Sequence, residues 1–275
     1  MNIASKSTAT PNRVEMLLEF IKDTNKEYTK KELQELFSPQ SDAVFKDNFS
    51  ILNSLQLIKI EDDIVKLNLE KSKLSTLEII KKAIFDDDFV YKDNFVYALA
   101  WLMIQDENSI QKLDWQGQVN TLIMKDLKNN FAELDLTSNP PWQNFYYWCS
   151  YLGFATKSYI SKNTYVFPDP TEAIHNELAS IFEKKKELKI DNFFKLLAQK
   201  IPVLEYGSAR NKIMENIREG LSLAENQLSF ATSLALLRLE KRGLIKLDQK
   251  SDANSMSLKT SNEDRIISHI LYVGK

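Results

Sequence analysis

At 275 residues, with 43% hydrophobic and 11% aromatic content, the chain has enough material for one large domain or roughly two to three small ones. Its 36 basic and 38 acidic residues leave a net charge of −2, which excludes a strongly basic nucleic-acid binder while leaving a local basic face open. The single cysteine, Cys149, excludes an internal disulfide framework, and the six dispersed glycines exclude a Walker A loop or a dinucleotide fingerprint.

The N-terminal "MNIASKSTATPNR" lacks a charged-then-apolar export signal, so a cytoplasmic location is expected. Pro11 to Asp23 carries Val14, Leu17, Leu18 and Ile21 on one face and predicts a first helix. "TKKELQELF" predicts a short second helix, with Thr29 as its cap and Glu32 at capping-box spacing. "FKDNFSILNSLQLIKIEDDIVKLNL" predicts a third helix to about Gln56, a strand from Leu57 to Ile60, an acidic turn at Glu61 to Asp63, and a strand from Ile64 to Leu69. Asp62 and Asp63 are explained there by turn propensity.

A connecting helix is expected from Ser75 to Phe85. The longest apolar run, "FVYALAWLMI" at Phe95 to Ile104, is shorter than the ~20 residues a bilayer span needs and predicts a buried core helix. It falls within a helix from Tyr91 to Gln105, followed by helices from Val119 to Asn129 and Pro141 to Leu152. The last of these runs to Gly153, after which Phe154 to Tyr159 and Thr164 to Phe167 predict a hairpin turning near Lys162-Asn163. A second connecting helix is expected from Thr171 to Lys186, then helices from Phe193 to Gln199 and Ala209 to Arg218, split by Ile201-Pro202. Leu228, Ala231, Ala235 and Leu239 form the apolar stripe of a final helix ended by Gly243. "LIKLD" and "MSLKT" then predict the two strands of a hairpin around the polar "QKSDANS".

One grammar thus recurs three times: an apolar helix entering a two-stranded hairpin through "LQLIKI", "LGFATK" and "RGLIKL". Gln56 departs from it, standing where the other copies have glycine. The expected fold is mainly α with short β-hairpins (α+β): tandem winged helix-turn-helix units joined by helices, the alternative being one all-helical domain with incidental hairpins. The boundaries are residues 1–72 for the first unit, 73–170 for a helical region with a second unit, and 171–275 for a linker helix and the third.

Enzymatic patterns are sparse. Pro168-Asp169 followed by Glu187 to Lys189 has the order of a PD-(D/E)xK nuclease. That chemistry needs both on adjacent strands, and the sequence predicts a turn followed by an exposed charged helix. Asp86, Asp87 and Asp88 lack EF-hand spacing and read as an inter-helix turn. His175 and His269 are too few for a zinc site, and Cys149 reads as a small buried residue. Trp142, Phe145, Tyr146, Trp148 and Tyr151 could stack bases, but no lysine or arginine lies between Pro140 and Thr156, so core packing is the better reading. No cofactor and no catalytic or metal residue is expected.

A groove-reading helix wants arginine, lysine, asparagine or glutamine on its open face. The first unit offers Lys46, Asn48 and Asn53 beside Asp42 and Asp47, and the second offers Gln143 and Asn144. The third offers Arg238, Lys241 and Arg242, with Lys246, Lys250 and Lys259 on or near its wing. These six are the candidate DNA contacts, although helix-dipole capping explains the first three equally well.

"TPNRV" at Thr10 to Val14, "LFSP" at Leu36 to Pro39 and "EDRIISHILY" at Glu263 to Tyr272 together resemble the DpdG proteins. These belong to bacterial clusters that insert 7-deazaguanine derivatives into DNA and restrict unmodified DNA. The resemblance implies a non-enzymatic accessory subunit of an anti-phage or DNA-modification complex, with larger protein partners and double-stranded DNA as potential ligands and no membrane. The rivals are a kleisin-associated winged-helix subunit of a chromosome-organising complex and a stand-alone transcriptional regulator.

Overall fold

The computed structural model describes residues 3–23, 26–68, 74–86, 94–106, 109, 119–128, 134, 136, 139–160, 163–218, 226–251, 254–259 and 265–274. Within them the chain is α+β, with eleven α-helices, two three-stranded sheets and two two-stranded ones. No described helix is long and apolar enough to cross a membrane.

The first unit runs α1 (Pro11–Asp23), β1 (Tyr28–Thr29), α2 (Lys30–Phe37), α3 (Asp42–Ser54), β2 (Ile58–Glu61) and β3 (Ile64–Leu67). Its antiparallel sheet has the order β1-β3-β2, with Tyr28 opposite Val65 and Ile58 opposite Leu67. The expected capping box starts α2: Thr29 Oγ1 accepts from the Glu32 amide at 3.2 Å, and the Thr29 amide donates to Glu32 Oε2 at 2.8 Å. Asp62 and Asp63 form the hairpin tip with φ of 50° and 64°, the left-handed pair of a type I′ turn whose twist suits a tight hairpin.

The central elements are α4 (Thr76–Ile84), α5 (Asn94–Met103), α6 (Val119–Asp126), α7 (Asn139–Tyr151), β4 (Ala155–Ile160) and β5 (Asn163–Pro168). As its uninterrupted apolar sequence requires, α5 is buried from Phe95 to Met103 apart from Tyr97. Trp142, Phe145, Tyr146 and Trp148 of α7 are likewise buried, so this aromatic run is core rather than a stacking platform.

The C-terminal elements are α8 (Thr171–Ile181), β6 (Glu187–Lys189), α9 (Ile190–Ala198), α10 (Ser208–Met214), α11 (Phe230–Lys241), β7 (Ile245–Asp248), β8 (Met256–Leu258), β9 (Arg265–Ile267) and β10 (His269–Tyr272). Three expectations are corrected here. The helix expected from Thr171 to Lys186 ends at Ile181, and as α8 it packs on α11 and α9. Glu187 to Lys189 is a strand, not part of an exposed helix. The partner of β7 is β10, with Ile270 opposite Leu247, while β8 pairs with β9. With β6 on the far side of β10, the sheet order β6-β10-β7 repeats that of the first unit, first strand, last strand, second strand. Strands as short as β1 and β6 have too few residues to announce themselves and exist because a longer neighbour supplies the ladder.

The three helix-to-hairpin junctions are the same structure. Gln56, Gly153 and Gly243 all adopt the left-handed conformation, with φ of 55°, 83° and 72°. The next amide in each copy reaches back five residues: Leu57 to the Leu52 carbonyl, Phe154 to Cys149 and Leu244 to Leu239, at 3.0, 2.8 and 3.1 Å. These are Schellman caps, which satisfy helix-end carbonyls that would otherwise be orphaned. The amide following each second hairpin strand then closes on the same turn: Asn68 to Leu57, Asp169 to Phe154 and Val273 to Leu244, at 2.9, 2.8 and 2.9 Å.

The units are interlocked. Asn144 of α7 donates to the carbonyls of Ala4 and Lys6 at 3.2 and 3.0 Å, and Trp148 Nε1 donates to the Ala9 carbonyl. α5 packs against α10, and the Arg218 amide bonds the Asp126 carbonyl at 2.8 Å.

Candidate functional site

The cationic end of α11 is where sequence placed the DNA contacts. Ser229 caps the helix, its Oγ accepting from the Thr232 amide at 3.4 Å, and the Gly243 cap stops it. The predicted stripe Leu228, Ala231, Ala235 and Leu239 is fully or almost fully buried, fixing which faces remain for charge.

Four of the six candidate cations face carboxylates of the same chain. Arg238 pairs with Asp169, a buried carboxylate just after β5. The other oxygen of Asp169 accepts from the Thr171 amide and hydroxyl at 3.2 and 2.5 Å, so this acid is held from both sides. Arg242 pairs with Glu172 at 2.6 Å, and its hydrogen bond holds the Glu172 carboxyl below the usual range, helped by His175. Lys250 pairs with Glu187 at 2.5 Å, and Lys259 lies 3.9 Å from Asp106. Lys241 and Lys246 are exposed and make no ion pair among the described residues.

The N-terminal half of α11 is covered as well. Ser229, Thr232 and Ser233 are fully buried. On one side lies the loop before α10, whose Glu205 accepts from the Ser229 amide, the Ser229 hydroxyl and the Thr232 hydroxyl at 2.9, 2.8 and 2.6 Å. On another the β8–β9 insertion folds back. The Leu228 amide donates to the Ser257 carbonyl at 2.9 Å, the Lys259 amide to Ser233 Oγ at 2.8 Å, and Arg265 pairs with Glu240. Burial raises the Glu240 pKa, but Arg265 and the Leu247 amide outweigh it and the carboxyl is net lowered. The first turns of α11 are thus largely covered by the chain itself.

The other expected reading residues divide in the same manner. Asn48 is buried, donating to the Val44 carbonyl at 2.7 Å, and Asn144 is buried on the N-terminal carbonyls. Both are structural. Lys46, Asn53 and Gln143 are exposed.

The residues that sequence singled out for chemistry lie apart from one another. Asp169 follows the β4–β5 hairpin, whereas Glu187 belongs to the β6-β10-β7 sheet, so the two carboxylates do not share adjacent strands. Among the described residues no group of three His, Cys, Asp or Glu could hold a metal ion. Asp87 and Asp88 lie outside the described residues. Cys149 is fully buried, and burial pushes its thiol well up, opposite to what a nucleophile needs. His175 faces Glu172 at 3.6 Å and His269 faces Ser268 at 2.9 Å.

Two open features were not anticipated. A polar cleft of about 510 Å³ lies between α4 and α8, and its cations are largely spent on its own acids: Lys81 and Lys200 both reach Glu177, at 2.9 and 3.5 Å. An apolar groove of about 540 Å³ is lined by side chains from α1, α2 and α3. Its signal was present in α1, where Met16 and Phe20 stand one turn apart and off the core stripe.

No curated protein and no solved structure gives a significant match to this chain. A family model described as DpdG-like matches residues 1–253. That span contains "TPNRV" and "LFSP", whereas "EDRIISHILY" lies beyond it. The match covers far more than half of the chain, which therefore belongs to the DpdG-like family.

Proposed function

We propose that the protein is a non-enzymatic accessory subunit of a bacterial 7-deazaguanine DNA-modification and anti-phage system, built from winged helices and acting by holding larger protein partners. The DpdG-like membership supports the setting. The order helix, strand, helix, helix, strand, strand, with its first-last-second sheet, supports reading the first unit as a winged helix. The third is the same unit with α10 and the β8–β9 hairpin inserted, and the middle is a reduced copy without the first strand.

One observation carries the choice of protein over DNA: α11 is wrapped by its own chain, and four of its six neighbouring cations already have carboxylate partners. Neutralising those cations internally removes the charge that would release counterions from a duplex. A second reading rests on Lys241 and Lys246, whose exposed ammonium groups suit sequence-independent phosphate contacts at the end of α11 and on the wing.

Co-expression with the other proteins of such a cluster, followed by size-exclusion chromatography with light scattering, tests the proposal. A complex of fixed stoichiometry that persists after nuclease treatment is expected. A chain that elutes alone at micromolar concentration, or is retained only through DNA, contradicts it.

A further inference from the structure

We infer that the apolar groove of the first unit is the docking site for an amphipathic helix of a separate protein partner, carrying an acidic residue beside its apolar anchors. The inference rests on the assembly reading above and names the surface and the chemistry it would use. The groove is formed by Met16 and Phe20 of α1, Leu36 and Phe37 of α2 and Val44 of α3, with Arg13 also lining it. Met16 and Leu36 are 61% and 57% exposed, so two large apolar side chains face water on facing elements. A scattered exposed leucine needs no explanation, but two exposed apolar side chains lining one groove offer a seat for a partner's apolar anchors.

Three observations select the occupant. The walls are helical side chains and present no strand edge, so an extended peptide would find no ladder for its backbone groups; a helix brings its own backbone bonds. From Arg13 to Phe20, α1 spans about 10 Å at 1.5 Å per residue, roughly two turns, which suits anchors at i and i+3 or i+4 and again at i+7. Arg13 donates to the Thr8 carbonyl at 3.1 Å and makes no ion pair among the described residues, so it gives the groove a positive charge that a carboxylate on the occupant complements. A second copy of the chain is a poor occupant. No described helix exposes two large apolar residues one turn apart; outside the groove, α6, α7 and α9 offer only Met124, Tyr147 and Leu196 respectively.

The test is selection of a displayed library of helical peptides on the full-length protein, with the winning peptide labelled and its affinity measured by fluorescence anisotropy. Enriched peptides should share apolar anchors one and two turns apart and an Asp or Glu. Leu36→Glu and Met16→Glu, both on exposed positions and checked for unchanged melting, should each weaken binding by about tenfold or more, as loss of an anchor does. Arg13→Glu should weaken it by about fivefold or more, and exchanging the peptide's acid for lysine should restore it, a swap that general misfolding cannot produce. Selection without a shared spacing, binding that survives both groove substitutions, or groove-dependent self-association would overturn the inference. If a complex with cluster proteins forms and withstands Leu36→Glu, the assembly reading stands and this site falls. If peptides bind as described but no such complex forms, the reverse holds.

Discussion

Replacing Gly153 with alanine is expected to destabilise the protein by about 3 kcal/mol, the sum of a left-handed backbone penalty of roughly 1–2 kcal/mol and an overpacking term of similar size. Gly153 is at φ 83°, and a Cβ there would lie 2.9 Å from the Ala173 nitrogen and 3.1 Å from Glu172 Cβ. The backbone nitrogen cannot step aside cheaply, because the Ala173 amide donates to the Gly153 carbonyl at 3.2 Å and seats the first turn of α8. The other two junctions make the comparison discriminating. Gly243→Ala meets nothing within 4 Å at φ 72° and should cost only the backbone term, about 1 kcal/mol. Gln56→Gly removes that strain at φ 55° and should stabilise by up to about 1 kcal/mol. Urea melts of the three variants check the ranking; equal losses at Gly153 and Gly243 would show that α8 does not bear on the middle junction.

The second large effect is expected at Glu205. Its side chain is buried with Arg210, whose Nη2 stands 3.3 Å from Oε1, and it also accepts from Ser229 and Thr232. Burial acts to raise its pKa, but Arg210, Thr232 and Ser229 prevail and the folded value is below the ordinary carboxylate range. Glu205→Ala leaves Arg210 buried without its counter-charge, and Arg210 Nη1 already lacks a partner. The loss should be about 3–5 kcal/mol, the usual consequence of breaking a buried pair from one side. Because the folded pKa is depressed, the stability contributed by ionised Glu205 is fully present above the unfolded carboxylate pKa and disappears as pH falls through the lower folded value. The wild type should therefore lose stability on acidification through that window, and Glu205→Ala should show a flatter profile there. A variant with wild-type melting temperature at neutral pH would remove Glu205 as the clamp on α11.

These two sites show what could be read from the chain and what could not. The junctions were legible because their signals are local: an apolar helix, a glycine, then alternation. Gln56 looked like a departure, yet it takes the glycine's conformation, because the cap's backbone bonds and the closing hairpin impose it. The strand pairing of the third unit was not legible. Its β7 strand skips the nearby Met256 to Leu258 for His269 to Tyr272, and only the tertiary sheet decides between the two segments. The same holds for β6, a three-residue strand that sequence reasoning placed in a charged helix. The cationic cluster was visible, but its partners were not. Asp169 stands 69 positions before Arg238, and nothing local announces that the two carboxylate–arginine pairs join the end of the middle hairpin and the first turn of α8 to α11. Glu205 was not singled out either, because a lone acid in "VLEYG" has no motif; its role comes from the helix start folded onto it.

Fluorescence anisotropy of the purified protein with duplex and single-stranded DNA, across a salt series, separates scaffold from DNA reader. Two folded double variants, Arg238→Ala/Arg242→Ala and Lys241→Ala/Lys246→Ala, belong in the same experiment. The scaffold reading predicts binding no tighter than roughly the micromolar, non-specific level at physiological salt. Any low-salt component should respond to the Lys241 and Lys246 pair alone. Tight, sequence-selective, salt-sensitive duplex binding that disappears in Arg238→Ala/Arg242→Ala would contradict it and return α11 to the major groove.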